Sequence, residues 1–268
     1  MDILDEICRN KRLEIASVIP RLTRNPMKRI ANNQGIAGQA RNDRKSFKQA
    51  LMDSNSGIIA EFKRKSPSKG WINKDADVTS IVESYEAAGA AAISCLTDEP
   101  FFGGSFEDFK KAREVVKRIP LLRKDFILDE YQLYQSKVMG ADVILLIAAC
   151  LTAEEIARFT SIAHDLDMEV LLEIHEESEL SSICPDVDVI GINNRNLKTF
   201  VTDINCSLDL VNKIPDNFIK ISESGLSDPE TVIQLRQAGF HGFLMGENFM
   251  KTSDPGKTLM GFIERIRN

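Results

Sequence analysis

The sequence has only three histidines, His164, His175 and His241, each on a different element with no second histidine close by. Because imidazole is the commonest metal ligand, this dispersal argues against a metal-dependent activity, and each histidine reads as a surface or structural residue. The five cysteines (Cys8, Cys95, Cys150, Cys184 and Cys206) are odd in number and include no closely spaced ligand pair, so neither a disulfide framework nor a structural zinc site is indicated. A reducing cytoplasm is the expected compartment. No apolar run approaches the length that spans a bilayer, and the start of the chain lacks a basic region followed by an apolar core, so neither a membrane span nor export is expected. Surplus positive charge is missing as well. A formal net charge of -6 argues against a general nucleic-acid binder or a membrane-adhesive surface, leaving local basic clusters to serve a small anionic ligand. No Gly-x-Gly-x-x-Gly follows the first strand-like run, and Gly103-Gly104 in a later loop is a weak substitute, which removes the main sign of a dinucleotide fold.

The 268 residues are 43% hydrophobic and 28% charged, ample for a packed core and without a disorder signature. Residues 1–50 are charged and helical in pattern, with an apolar stripe of Ile3, Leu4, Ile7, Leu13, Ile15 and Val18, and read as an N-terminal helical extension. From residue 57 a regular alternation begins. Short runs rich in β-branched residues occur at 58–62, 91–96, 121–123, 143–147, 169–172, 189–192, 219–221 and 242–245. Helical spacing fills the intervals near 77–89, 106–118, 130–139, 153–165, 176–183, 206–213, 228–238 and 256–266, with caps such as Thr152 and Ser227. Eight such repeats specify a parallel sheet closed as a (β/α)8 TIM barrel more naturally than an open doubly wound sheet, the structural alternative. One domain over 1–268 is expected.

In such a barrel the active site lies at the carboxyl ends of the strands, so the polar residues there form one geometric set. They are Glu61 and Lys63 after the first run, Thr97 and Asp98 after the second, Lys124 after the third and Glu173 after the fifth. Asn193 and Arg195 follow the sixth, Glu223, Ser224 and Gly225 the seventh, and Gly246 the eighth. Glu61 and Lys63 share a strand face, and an uncompensated interior charge is costly, so their placement points to chemistry rather than packing. The last two ends place small residues where backbone N–H groups turn toward an anion, which predicts a phosphorylated substrate.

Several of these segments resemble the indole-3-glycerol phosphate synthase family across almost the whole chain. The most specific is Ala60-Glu61-Phe62-Lys63-Arg64-Lys65-Ser66-Pro67-Ser68; Leu96-Thr97-Asp98, Leu122-Arg123-Lys124-Asp125-Phe126, Leu171-Leu172-Glu173, Gly191-Ile192-Asn193-Asn194-Arg195-Asn196-Leu197, Ser222-Glu223-Ser224-Gly225 and Phe243-Leu244-Met245-Gly246 accompany it. The resemblance implies ring closure, decarboxylation and dehydration of 1-(2-carboxyphenylamino)-1-deoxyribulose 5-phosphate in tryptophan biosynthesis. It also implies an N-terminal extension that helps cover the substrate, no cofactor and no obligatory protein partner; the family is sometimes fused to other pathway enzymes, but one barrel fills these 268 residues and a single activity is expected.

For that chemistry Lys124 suits the general acid that protonates the developing alkoxide. Lys63 is the second ammonium, engaging the substrate carboxylate or phosphate or donating a proton in the dehydration, and the residues do not separate these jobs. Glu173 stabilises charge on the ring nitrogen or relays protons and Glu61 pairs with Lys63 as the final base, two roles that are exchangeable. Glu223 orients a lysine or a substrate hydroxyl, Asn193 positions hydroxyls, and Ser224 completes the catalytic set. By resemblance, phosphate falls to Ser66, Arg195 and the backbone of Gly225, Gly246 and Glu247, and the benzoate ring to Pro67, Phe102, Phe126, Leu145 and Leu197. Glu247 departs from the small residue usual after Gly246, and its side chain is expected to turn away toward Lys251. Arg64, Lys65 and Lys69 read as solvated loop charges. An aldolase using Lys124 as a Schiff-base nucleophile, a phosphosugar isomerase, and a non-catalytic phosphometabolite-binding barrel are the competing functions.

Overall fold

The computed structural model describes residues 2–18, 45–196 and 199–267. Strand β1 (Ile58–Phe62) is followed by a small antiparallel hairpin, β2 (Lys65–Ser66) and β3 (Gly70–Trp71), which strand periodicity did not reveal because each arm is two residues long. Strands β4 (Ala92–Leu96), β5 (Leu121–Lys124), β6 (Val143–Ile147), β7 (Glu169–Ile174), β8 (Val189–Asn193), β9 (Ile219–Glu223) and β10 (Gly242–Met245) complete a closed parallel barrel with β1. The fold is therefore the expected (β/α)8 barrel, in which β1 pairs with both β4 and β10 and no edge is left open.

Helices α1 (Ile3–Val18) and α2 (Phe47–Asp53) precede the barrel. The outer helices are α3 (Val78–Ala88), α5 (Phe106–Val115), α6 (Glu130–Met139), α7 (Ala153–Asp165), α8 (Asn205–Leu210), α9 (Pro229–Gln237) and α11 (Pro255–Arg267), with short α4 (Glu99–Phe102) and α10 (Glu247–Met250) above strand ends. A 3-10 turn over Glu177–Ser182 takes the place of the helix after β7. Thr152 caps α7 through a reciprocal box with Glu155. The cap of α9 is Asp228 and not Ser227, since Pro229 takes the first helical position and the cap must directly precede it.

Period-two alternation sorts the barrel interior into layers. Ile59, Leu122, Leu171 and Ile221 belong to one buried apolar cluster, and two residues further along the same strands stand Glu61, Lys124, Glu173 and Glu223. The same rule that buries the hydrocarbon thus delivers the charges to one end. At the opposite end α2 acts as a plug. Its Phe47 and Leu51 join the interior cluster, and Glu169 at the start of β7 accepts the N–H groups of Phe47 and Lys48, anchoring the helix N-terminus with a negative charge. Gly242 is required there because a Cβ would come within 2.9 Å of Leu51 Cδ2 and 2.7 Å of Ile221 Cγ2.

Helix α1 crosses the carboxyl-end rim over β4, β5 and β6. Its buried face is Ile7, Cys8, Lys11 and Ile15, whereas Leu13, expected in the apolar stripe, is 66% exposed. Lys11 occupies the seam because Asp98 and Asp125, just past β4 and β5, stand 3.3 and 3.1 Å from its Nζ. The Cys8 sulfur lies 3.4 Å from that of Cys150, which follows β6. Among the described residues no helix is long and apolar enough to cross a membrane.

Candidate active site

A cavity of about 410 Å³ opens at the carboxyl ends of the strands. Its floor holds Lys124, whose Nζ donates to Glu173 Oε2 and Glu223 Oε2, both at 2.6 Å. Lys63 makes a separate pair, with Nζ 2.6 Å from Glu61 Oε1, while the second Glu61 oxygen accepts from Ser94 at 3.3 Å. Asn193 donates through Nδ2 to Glu173 Oε1 at 3.0 Å, and its Oδ1 receives the Arg195 N–H at 3.0 Å. Two glycines make room for these carboxylates. A Cβ on Gly191 would collide with Glu223 Oε1, and one on Gly246 would stand 2.9 Å from both Cβ and Oε1 of Glu61.

The charges are unevenly tuned. Burial opposes the charge of Lys124, but Glu173 and Glu223 outweigh it and hold the ammonium above its usual range. Burial likewise opposes ionisation of Glu173, yet Lys124 and His175 overcome it and keep this carboxyl well below the ordinary glutamate value. Burial lifts Glu223 to about 7; Lys124 opposes that rise and the neighbouring charge of Glu173 reinforces it. Two glutamates on one lysine thus differ in how readily they hold a proton.

The rim has two unlike sides. Above β4 to β6 it is apolar: Phe102 and Phe126, with ring centroids 6.1 Å apart, face the cavity together with Leu145 and with Ile3, Leu4 and Ile7 of α1. Across the barrel, above β8 to β10, it is made of Arg195, Ser224, Gly225, Gly246 and Glu247. Ser224 and Gly225 both take left-handed backbone, at φ 67° and 75°, so the chain turns sharply where β9 ends. Such a conformation is strained for serine, and Asn194 braces it by donating to the Ser224 carbonyl at 3.1 Å and to Ser222 Oγ at 2.9 Å.

Of the residues singled out from sequence, Glu61, Lys63, Lys124, Glu173, Asn193, Glu223 and Ser224 all border this one cavity. Arg195, Gly225, Gly246, Glu247, Pro67, Phe102, Phe126 and Leu145 border it too. Ser66 does not. It is buried beneath the loop, where its Oγ accepts the Lys69 N–H at 3.2 Å. Leu197 lies outside the described residues. Glu247, which the sequence reading turned toward Lys251, is on the cavity wall, and so is Lys251.

Two readings of the basic loop need correction. Arg64 is not a solvated charge: it pairs with both oxygens of Asp108 at 2.6 and 3.0 Å, donates to the Ala76 carbonyl, and stacks over Phe62. Lys65 donates to the Pro100 carbonyl at 2.7 Å, and Lys69, though exposed, borders the cavity. Sequence reading also missed Phe200, Thr202 and Lys251, which lie beyond strand ends with no motif to mark them. His175, read as surface or structural, stands with Nε2 3.1 Å from Glu173 Oε1; its two-residue spacing from Glu173 was the available signal.

Comparison with known proteins adds independent findings. The family described as indole-3-glycerol phosphate synthase matches residues 4–262. A protein of that name from Bacteroides thetaiotaomicron is 52% identical over 266 residues, covering 99% of this chain and 99% of its own length. Another from Delftia acidovorans is 40% identical over 264 residues, covering 96% of this chain and 97% of its own.

Proposed function

The chain belongs to the indole-3-glycerol phosphate synthase family, carboxy-lyases of tryptophan biosynthesis, and from that premise we infer how its side chains divide the reaction. The substrate, 1-(2-carboxyphenylamino)-1-deoxyribulose 5-phosphate, has an aromatic acid at one end and a phosphate at the other. The apolar rim under α1 suits the ring, and the small-residue rim above β8 to β10, with Arg195 beside it, suits the phosphate. Held between them, the ketone lies over Lys124.

In this reading the ring carbon that bears the carboxylate attacks the ketone, and Lys124 gives its proton to the oxygen as negative charge develops there. Carbon dioxide then departs, leaving its bonding electrons to restore the aromatic ring. Glu173 lies beside the same ammonium and offsets positive charge on the ring nitrogen. In the dehydration the hydroxyl leaves as water with a proton from Lys63, and Glu61, already paired with Lys63, takes the carbon-bound proton that completes the indole. Asn193 and Glu223 orient hydroxyls and Lys124, respectively. Ser66 supports the loop carrying Lys63 and Pro67, consistent with its burial.

The observation that carries this reading is the presence in one cavity of two lysines, each paired to strand-end glutamates. An aldolase would need a neutral Lys124 amine, whereas two carboxylates hold it protonated, which favours the acid over the nucleophile. Incubating the protein with the carboxyphenylamino-deoxyribulose phosphate should produce indole fluorescence, and borohydride should trap no adduct on Lys124. Absence of product, or a trapped adduct, would refute it.

The pH profile supplies a further check. With Glu223 titrating near 7, protonation removes the negative charge that steadies Lys124, so turnover should fall as pH drops through that value. Glu223→Gln should lower turnover and flatten this limb; a variant that keeps the wild-type limb would assign it to another group.

A further inference from the structure

His175 lies just beyond the end of β7, two residues after Glu173 and on the same strand face. Its side chain is 10% exposed and sits between two carboxylates, with Nε2 3.1 Å from Glu173 Oε1 and Nδ1 3.4 Å from Glu179 Oε2. Neither contact is aligned as a hydrogen bond, so both act through charge. Glu179 holds the histidine by a second route, because its Oε2 accepts the His175 backbone N–H at 2.6 Å. A chain of alternating charge therefore runs from Glu179 through His175 and Glu173 to Lys124.

We propose that His175 is a positioning residue, fixed by Glu179, that holds one oxygen of Glu173 so that the other stays on Lys124. The proposal rests on the reading of Glu173 and Lys124 as the proton-handling pair. Its physical reason is competition. Lys124 is shared between Glu173 and Glu223, and whichever carboxylate is better anchored keeps its charge and its place. On its other oxygen Glu173 accepts a hydrogen bond from Asn193 and faces the His175 imidazole at 3.1 Å, whereas Glu223 Oε1 is buried with no hydrogen-bond partner among the described residues. His175 is thus the charged part of the asymmetry between the two glutamates.

Burial weakens the imidazolium, but Glu173 and Glu179 more than offset it and push His175 up to about 9, so it carries its charge at neutral pH. The other titratable groups around it do not replace that charge. Lys124 and Glu223 lie beyond Glu173, and Cys206 on α8 donates its thiol to the His175 carbonyl. Glu176 and Glu177 in the adjoining turn are exposed, and Glu177 pairs with Lys213. The sign follows. Removing a cation beside Glu173 makes the first protonation of the Glu173 and Glu223 pair easier, so the acid limb of activity moves to higher pH.

The test uses the full chain, with wild-type turnover established first, so that failure of the synthase reading itself would already be visible. His175→Phe is expected to lower kcat roughly tenfold with KM changed less than about threefold, and to move the acid limb up by about half a unit or more. His175→Gln, which keeps a donor but not the charge, should recover most of kcat while retaining the shifted limb. Glu179→Gln should shift the limb in the same direction by less. Wild-type kcat and pH profile in His175→Phe would overturn the proposal. So would a fall in kcat that tracks a fall in melting temperature with the limb unmoved, because that pattern belongs to a packing role.

Discussion

Lys124→Ala is expected to reduce turnover by roughly a thousandfold, the middle of the range for loss of a positioned general acid, while ligand affinity changes far less. The asymmetry comes from where the ammonium stands. Lys124 is on the floor of the cavity between Glu173 and Glu223, whereas the apolar wall and the small-residue wall proposed for the phosphate lie on opposite sides of the rim and remain intact without it. Binding energy from the two ends of the substrate therefore survives, and what is lost is a proton delivered at one oxygen. Removing the cation also leaves two buried carboxylates facing a common space. Glu223, already raised to about 7, is the one that protonates in response, which limits the cost to folding. Turnover of the purified variant, with binding of a non-reacting substrate analogue followed by calorimetry, separates the two effects. Near-normal turnover would remove Lys124 from the chemistry.

Lys11→Met should loosen α1 and raise KM more than it lowers kcat. Lys11 is 1% exposed, and its ammonium meets Glu14, Asp98 and Asp125 within 3.3 Å. Burial penalises its charge, but the surrounding carboxylates outweigh that and hold it above the usual lysine range. Breaking a buried ion pair from one side leaves the partners uncompensated, typically costing about 3–5 kcal/mol. Here the lower end is expected, for two reasons. Asp125 keeps Arg123 at 2.9 Å and Thr97 at 2.6 Å, and burial has already raised Asp98 toward the protonated form. The helix can also lift away rather than endure the full penalty, and in doing so it withdraws Ile3, Leu4 and Ile7 from the cavity wall. A KM increase of roughly tenfold corresponds to about 1.4 kcal/mol of lost apolar contact, a modest share of three side chains. Hydrogen exchange over residues 3–18 and steady-state kinetics measure the two effects. Unchanged exchange and unchanged KM would show that α1 is held by its other contacts.

The residues most legible in the sequence were those governed by local periodicity. Glu61, Glu173 and Glu223 each follow an inward apolar residue by two positions, so alternation alone turned them toward the barrel interior. Gly225 and Gly246 were legible as tight positions, but their neighbours were not: a side chain on Gly225 would strike Thr202, and one on Gly246 would meet Glu61 from another strand. Arg64 was misread because its partner, Asp108, lies 44 positions away, and nothing near a basic run says whether an acid will come to meet it. Ser66 illustrates the converse. It lies in the most specific family segment, yet a two-residue hairpin buries it under the loop instead of turning it to the cavity.

The sequence alone determined the number and order of the eight barrel strands and the interior direction of the charged strand ends, because these depend on spacing along the chain, which is covalent and fixed, and its motif segments carried the resemblance to the family. The tertiary structure alone decided which charges meet. That Lys124 divides itself between Glu173 and Glu223, that His175 reinforces only the first, and that Lys11 fastens a helix over the rim are consequences of barrel closure. Closure brings groups tens of residues apart within a few ångströms in a poorly solvated space, where Coulomb interactions are strong enough to set protonation and position.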